Sequence, residues 1–408
     1  MMIKSNNKFV VLCIILVVAL CSGHAFQTII PSLPWLVLPV AAAVVLWSIH
    51  GIHNGKKSGK DQIAVLVFTV MIGATFLQGL GRGASFYGLM LCNILAGYGI
   101  SRMYSFKQIA HCHVRCMTII TAIAIVGYLL LQNTTLLNAL PSMTNVNNVE
   151  YRVSGIFNYI KTVPNRNCGM FWEPGLFATH LIISIVFEIM YEKKPNIVRL
   201  ILFSAGIFTA NSSAGFALWI LCVMLLFLKN AKLSSNPVAA AISIIAVSAG
   251  ALLIINFEEI LLQTSLGSNE FLQKLLLGNI QNSSRMLAIE HNLNSFLSEP
   301  IFGVGINRAA AEMQHVADTS TSTYMMSIFG ILGISYTVYW VYGIWKLPQI
   351  SVMTKILLIA IALSILNKEP HMNLLLTWCL LFGLISGKVS DLEPEKPRKE
   401  KRKVIVWR

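Results

Sequence analysis

The residues best suited to chemistry in this 408-residue chain are arginines, gathered in two polar stretches between long apolar runs. In the first, Arg152, Lys161 and Arg166 face a single acid, Glu150, shortly before Trp172 and Glu173. Arg285 and Arg308 occupy the second, beside several acids. A guanidinium is a planar fork that gives phosphate two charge-assisted hydrogen bonds at once. Ser283 or Ser284 can cap a helix beginning near Arg285, which puts that arginine where the helix dipole also favours an anion. Isolated arginines on a loop are more often plain surface residues, so the anion site competes with that simpler reading.

Other chemistries lack their residues. The chain has only three aspartates, Asp61, Asp318 and Asp391, and no two are close in sequence. The paired aspartates that hold a divalent ion on a nucleotide sugar are therefore absent. No Walker lysine loop and no dinucleotide glycine fingerprint stand out. His111, Cys112, His113 and Cys116 are metal-ligand types, but no second ligand cluster accompanies them, and no metal or other cofactor is expected. Of the cysteines, only Cys168 falls in a long polar stretch, so no disulfide framework is implied.

The elements that must position these residues are membrane helices. Apolar residues make up 55% of the chain and charged ones 12%, against roughly 25% charged in a soluble domain. The apolar residues come in blocks near the ~20 needed to cross a bilayer as a helix. Polar breaks divide them into about twelve spans, centred near residues 16, 43, 72, 95, 124, 182, 204, 222, 247, 334, 361 and 379. The fold class is thus all-α and polytopic, one transmembrane domain over 1–408. Two long loops, 132–171 and 258–321, carry short helices, and a basic tail covers 388–408. The spans near 204 and 222 form either a tight hairpin or a re-entrant pair. In the second loop Met286, Ile289, Leu293 and Phe296 make an apolar stripe that Pro300 ends, which also suits a helix lying on the membrane surface. With both termini cytoplasmic, most of the 31 Lys and Arg fall inside and both long loops fall outside. The net charge of +14 is then a topology signal and an attraction to the bilayer, and a nucleic-acid partner is not expected. Lys4, Lys8 and the run Phe9 to Cys21 look like a secretory leader, but Ser22 to Ala25 is a poor cleavage site, so an uncleaved first helix is expected.

The stretch Arg166 to Gly175, RNCGMFWEPG, resembles Wzy-type polysaccharide polymerases of the O-antigen polymerase and ligase superfamily. Three further stretches follow in that family's order. Thr209 to Gly215 resembles its Thr-x-Ser hairpin. Ser284-Arg285 with Pro300 to Asn307 resembles its second-loop arginine and glycine turn, and Ser320 to Gly333 the start of its next span. The likeness covers about residues 150–385.

The resemblance implies a metal-independent glycosyltransferase of the bacterial inner membrane. Its substrates are glycans carried on undecaprenyl diphosphate, and a chain-length regulator is an implied partner. Lipid diphosphate leaves the donor's anomeric carbon as the hydroxyl of another repeat unit attacks. Arg166 and Arg285, converging from different loops, would stabilise the leaving charge, and Glu173 would take the acceptor proton. Arg152, Trp172, His180, Arg308 and His315 would bind substrate. Glu173 equally suits the N-terminus of a helix, where the dipole favours an acid. Ligase-type members open the span after the second loop with a histidine; here that place reads Thr319-Ser320-Thr321-Ser322, which favours a polymerase. The rival readings are a ligase of the same superfamily, a lipid-linked oligosaccharide flippase and a non-catalytic assembly subunit.

Overall fold

The computed structural model describes residues 17–30, 33–50, 59–79, 83–145, 148–192, 194–230, 284–312, 320–348 and 350–386. Apolar helices dominate them. In order these are α1 (Leu33–His50), α2 (Gly59–Gln78), α3 (Ala84–Met103), α4 (Phe106–Leu130), the short α5 (Thr134–Ala139), α6 (Pro174–Tyr191), α7 (Ile197–Ala210) and α8 (Ser213–Asn230). After these come α9 (Ser284–Ser298), α10 (Gly305–Glu312), α11 (Thr321–Phe329), α12 (Ile331–Trp345), α13 (Val352–Leu366) and α14 (Leu375–Ile385). Four of these, α2, α3, α4 and α6, are long and apolar enough to cross a membrane, and α1 (over Leu33–Val44), α7, α8, α13 and α14 are shorter apolar helices. The centres expected near 16 and 247 lie outside the described residues, as does the 388–408 tail.

Local chemistry sets the boundaries. Ser105 and Gln108 form a reciprocal capping box at the start of α4. Asn196 and Ser351 cap α7 and α13, and Pro174 opens α6 where its missing N–H costs nothing. Asn211 ends α7 in the left-handed region at φ 47°. Only Ser212 then separates it from α8, so the two helices meet in a tight turn.

The hub of the bundle is α6, which packs on α4, α7 and α8. Its apolar window is 78% buried, whereas that of α2 is 33% buried. On α2 the side chains Ile63, Leu66, Val70 and Leu77 are exposed, as are Ile119 and Val126 on α4 and Ile197, Val198 and Ile201 on α7. Soluble monomers rarely expose contiguous apolar surface beyond a few hundred Å²; in hydrocarbon such faces cost nothing. Close helix contact uses small residues, the rule in membranes. A Cβ on Gly97 of α3 would lie 2.6 Å from Trp378 Cβ of α14.

One end of the bundle is tied by ion pairs. Arg102 meets the buried Asp61 at 2.8 Å, Arg199 meets the buried Glu188 at 3.1 Å, and His111 meets Glu192 at 3.0 Å. The opposite end carries the first long loop, the α7–α8 turn and the α13–α14 connection.

The two loops depart from expectation in ways packing explains. The first holds α5 and also a three-stranded antiparallel meander, β1 (Ser142–Thr144), β2 (Glu150–Val153) and β3 (Asn158–Ile160). Tyr151 pairs with Met143 on one side and Ile160 on the other. Alternation places Tyr151 and Val153 in a small core with Ala25, Ile160 and Cys168, and turns Glu150 and Arg152 outward. In the second loop α9 starts at Ser284 and ends before Pro300, near the expected bounds, but its buried face is Ala288, Asn292 and Ser295. Leu293 and Leu297 of that helix are exposed. The small and polar face packs on α11, where Asn292 Nδ2 donates to Thr323 Oγ1 at 3.1 Å, and the leucines are left to the surroundings.

Candidate functional site

Glu173 is the N-cap residue of α6, in extended conformation, and its side chain makes no capping hydrogen bond. The carboxylate is held by position and available for another task. A second carboxylate reaches the same place from the α13–α14 connection. A Cβ on Gly175 would lie 2.5 Å from Glu369 Oε1 and 3.2 Å from Glu173 Oε1. Gly175 thus makes room for both acids at the start of α6. Between them in sequence stands Lys368, whose Nζ donates to the Gly175 carbonyl at 2.8 Å. Lys368 and Glu369 are 2% and 1% exposed. Burying such charges is costly unless they offset one another, and ionisable groups inside a membrane bundle mark functional places by default.

Hydroxyls from α11 bracket this connection. Thr321 Oγ1 donates to the Glu369 carbonyl and accepts from His371 N at 2.7 Å. Ser320 Oγ bonds Asn367 Oδ1 at 3.0 Å, and Thr323 Oγ1 donates to Ser320 Oγ at 2.7 Å. The stretch Ser320 to Thr323 therefore works as a clamp on 367–371.

The four motif stretches meet around this end of the bundle. Asn167 N donates to Thr209 O at 2.9 Å and its Nδ2 to Thr209 Oγ1 at 3.0 Å. Arg166 Nε donates to Ala210 O at 3.2 Å, so the first motif is fastened to the second. The third and fourth interlock through backbone. Val304 N bonds Ser327 O at 2.9 Å, and Ile331 N bonds Pro300 O at 2.8 Å. Gly330 sits at φ 59°, ψ −141°, a conformation essentially reserved for glycine, and a Cβ there would lie 2.5 Å from Ile301 O.

The segment Cys21–Ala25 threads between these parts. Trp172 N bonds Gly23 O, Ala25 N bonds Met170 O and Leu375 N bonds Cys21 O. His24 uses both ring nitrogens, Nε2 with Gly155 O at 2.9 Å and Nδ1 accepting from Phe26 N at 3.1 Å. That pattern belongs to the neutral ring, and burial holds the His24 pKa below its ordinary 6.5. Tyr151 donates to Trp172 O at 2.8 Å, and burial pushes its phenol up to about 12.

The expected site residues divide among several places. Glu173 and Trp172 stand at the centre. His180, two turns along α6, is buried; its ring stacks on Phe171 at 4.4 Å and its Nε2 bonds Ser22 O at 2.9 Å. Arg166 reaches the α7–α8 turn. Arg152 lies on the face of the meander opposite Tyr151, 3.8 Å from Glu150 Oε1 and donating to Leu140 O at 3.1 Å. Arg308 is exposed and pairs with Glu299 at 2.6 Å. Arg285 is the second residue of α9; its side chain, its convergence with Arg166 and all of His315 lie outside the described residues. Sequence reasoning missed Lys368, Glu369, His371 and Tyr151. The signal for the first three was a run of ionisable residues in a connector between two apolar helices.

Neither protein-family models nor curated proteins yield a match to this chain.

Proposed function

We propose that this membrane protein is a metal-independent glycosyltransferase that polymerises oligosaccharide repeat units carried on undecaprenyl diphosphate, as Wzy-type polymerases do. On this reading the chain spans the bacterial inner membrane about twelve times, with both termini cytoplasmic and the Glu173 end outside. One observation carries it: the four stretches that resemble the family fasten in two pairs, 166–167 to 209–210 and 300–304 to 327–331, and both pairs hold the connector that carries Lys368 and Glu369. Glu173 or Glu369 takes the proton of the acceptor hydroxyl. The oxygen forms a new bond to the anomeric carbon, and the bond from that carbon to the lipid diphosphate breaks. The diphosphate leaves with its electron pair, and arginines from the loops stabilise the charge.

A transporter of lipid-linked glycans is the second reading, favoured by the burial of Lys368, Glu369 and His371. Lys368 and Glu369 sit in a connector at one end of the helices, beside ordered loop structure, and of the three only His371 reaches the apolar cleft inside the bundle. That placement keeps the enzyme first. Deletion of the gene separates the readings by the glycans that accumulate. A polymerase defect leaves lipid A core, or an equivalent acceptor, carrying one repeat unit. Long polymer retained on the carrier lipid identifies a ligase instead, and units trapped on the cytoplasmic face identify a flippase.

A further inference from the structure

Within the bundle a partly open apolar cavity runs beside α6, walled by residues of α12, α13 and α14 and by Phe106 at the start of α4. On α6 its wall is the row His180, Ile183, Val186, Phe187 and Met190, which recurs at helical spacing. From His180 to Tyr191 the row extends about 16 Å at 1.5 Å per residue. The lining is overwhelmingly aliphatic and aromatic, a poor home for water, and left empty its walls forfeit their dispersion contacts on one side.

Imidazoles occur at one end only. His180 and His371 line the cavity there, 3% and 2% exposed. Because His180 Nε2 faces the Ser22 carbonyl, that nitrogen carries the proton, and Nδ1 is left as an acceptor with no partner. His371 Nε2 also has no partner. Buried polar atoms are nearly always paired, so these two ring nitrogens on an otherwise apolar lining, with Trp340 Nε1 a third unpartnered atom on it, point to a missing group that is polar where the imidazoles stand and hydrocarbon beyond.

We infer that this cavity is a binding slot for one hydrocarbon chain of a lipid, whose polar junction hydrogen-bonds at His180 and His371. The slot is independent of the reaction assigned above. Its link to the donor rests on that reading: His180 lies seven residues, about 10 Å, along α6 from Glu173, so a lipid diphosphate whose chain fills the slot carries its head towards Glu173, Lys368 and Glu369. A bilayer phospholipid offers the same chain chemistry.

The full chain in nanodiscs of phosphatidylethanolamine and phosphatidylglycerol tests the inference with two photoreactive probes. One is a phosphatidylglycerol with a diazirine on its acyl chain, the other a polyprenyl diphosphate with a diazirine on its prenyl chain. Cross-links are mapped by mass spectrometry. At least one probe is expected to label the buried Phe187 and Ile361 well above the lipid-facing Ile201. Ile183→Trp and Ala362→Trp, which fill the slot, are expected to cut that labelling by an order of magnitude and leave Ile201 unchanged. Labelling by the prenyl probe supports both the slot and its link to the donor. Labelling by the acyl probe alone supports the slot and overturns that link, leaving the polymerase reading to the glycan analysis. The wild-type distribution decides even if a tryptophan variant fails to fold: labels no denser on Phe187 and Ile361 than on Ile201 overturn the slot.

Discussion

A buried ammonium such as that of Lys368 has to be offset close by, and the carboxylates crowding Gly175 are placed to do so. Glu369→Gln alone should therefore destabilise the protein by about 3–5 kcal/mol, the usual cost of stranding a buried charge. Adding Lys368→Met should recover much of that stability, read as the melting temperature of the purified chain. Glu173 is different, because its side chain caps nothing. Glu173→Gln should melt close to wild type and yet lower polymer formation about 10²–10⁴-fold, the usual contribution of a general base. Normal polymer from a well-expressed Glu173→Gln chain would remove Glu173 from that role. His24 supplies a pH dependence. Its folded pKa lies below 6.5, so the unfolded chain binds the proton first and stability falls as pH drops below about 6.5. Protonation at Nδ1 also breaks the bond from Phe26 N. Melting curves between pH 7.5 and 5, in ~0.5-unit steps, should show this loss, and His24→Gln should flatten it.

At the scale of elements, the apolar helices and the α7–α8 hairpin were legible because twenty-residue hydropathy and a short polar break survive any packing. The meander was not. Its strands are only three or four residues long, too short for alternation to stand out from the surrounding polar sequence. For α9 the apolar stripe was visible but its direction was not, since in a membrane protein leucines face lipid as readily as protein. The candidate site was half legible. Residues on recognisable stretches, such as Glu173 and Trp172, were found, whereas Lys368 and Glu369 read as ordinary connector charges. Nothing in a sequence says whether a short connector turns towards water or folds inward under Thr321. The interlock of 300–304 with 327–331 is the element most open to a single test. Gly330→Ala forces a side chain into a glycine-only conformation costing about 1–3 kcal/mol, and also against Ile301 O. Loss of polymer is expected with α6 intact, since the substitution unfastens α11 and its clamp on 367–371. Limited proteolysis near Pro300 should quicken while cleavage elsewhere stays as in wild type; unchanged cleavage there would count against the interlock.

For the whole molecule the decisive quantity is which end faces which compartment. At one end Arg102, Arg199 and His111 pair with Asp61, Glu188 and Glu192, and Lys60 and Lys346 lie near Tyr342. Positive charge concentrated beside helix ends is retained on the cytoplasmic side, so that end should be inside. The opposite end, with the meander, Glu173 and the interlocked turns, should then be outside, as the polymerase reading requires. Ile156 lies exposed in the turn between β2 and β3, and Pro348 lies exposed between α12 and α13. A membrane-impermeant maleimide applied to cells with a permeabilised outer membrane should label Ile156→Cys. It should reach Pro348→Cys only after lysis, with the parent chain measuring any background from its own cysteines. The reverse pattern would place Glu173 and Glu369 in the cytoplasm, away from any translocated acceptor. The polymerase reading would then fall, because its chemistry needs both substrates on the outer side.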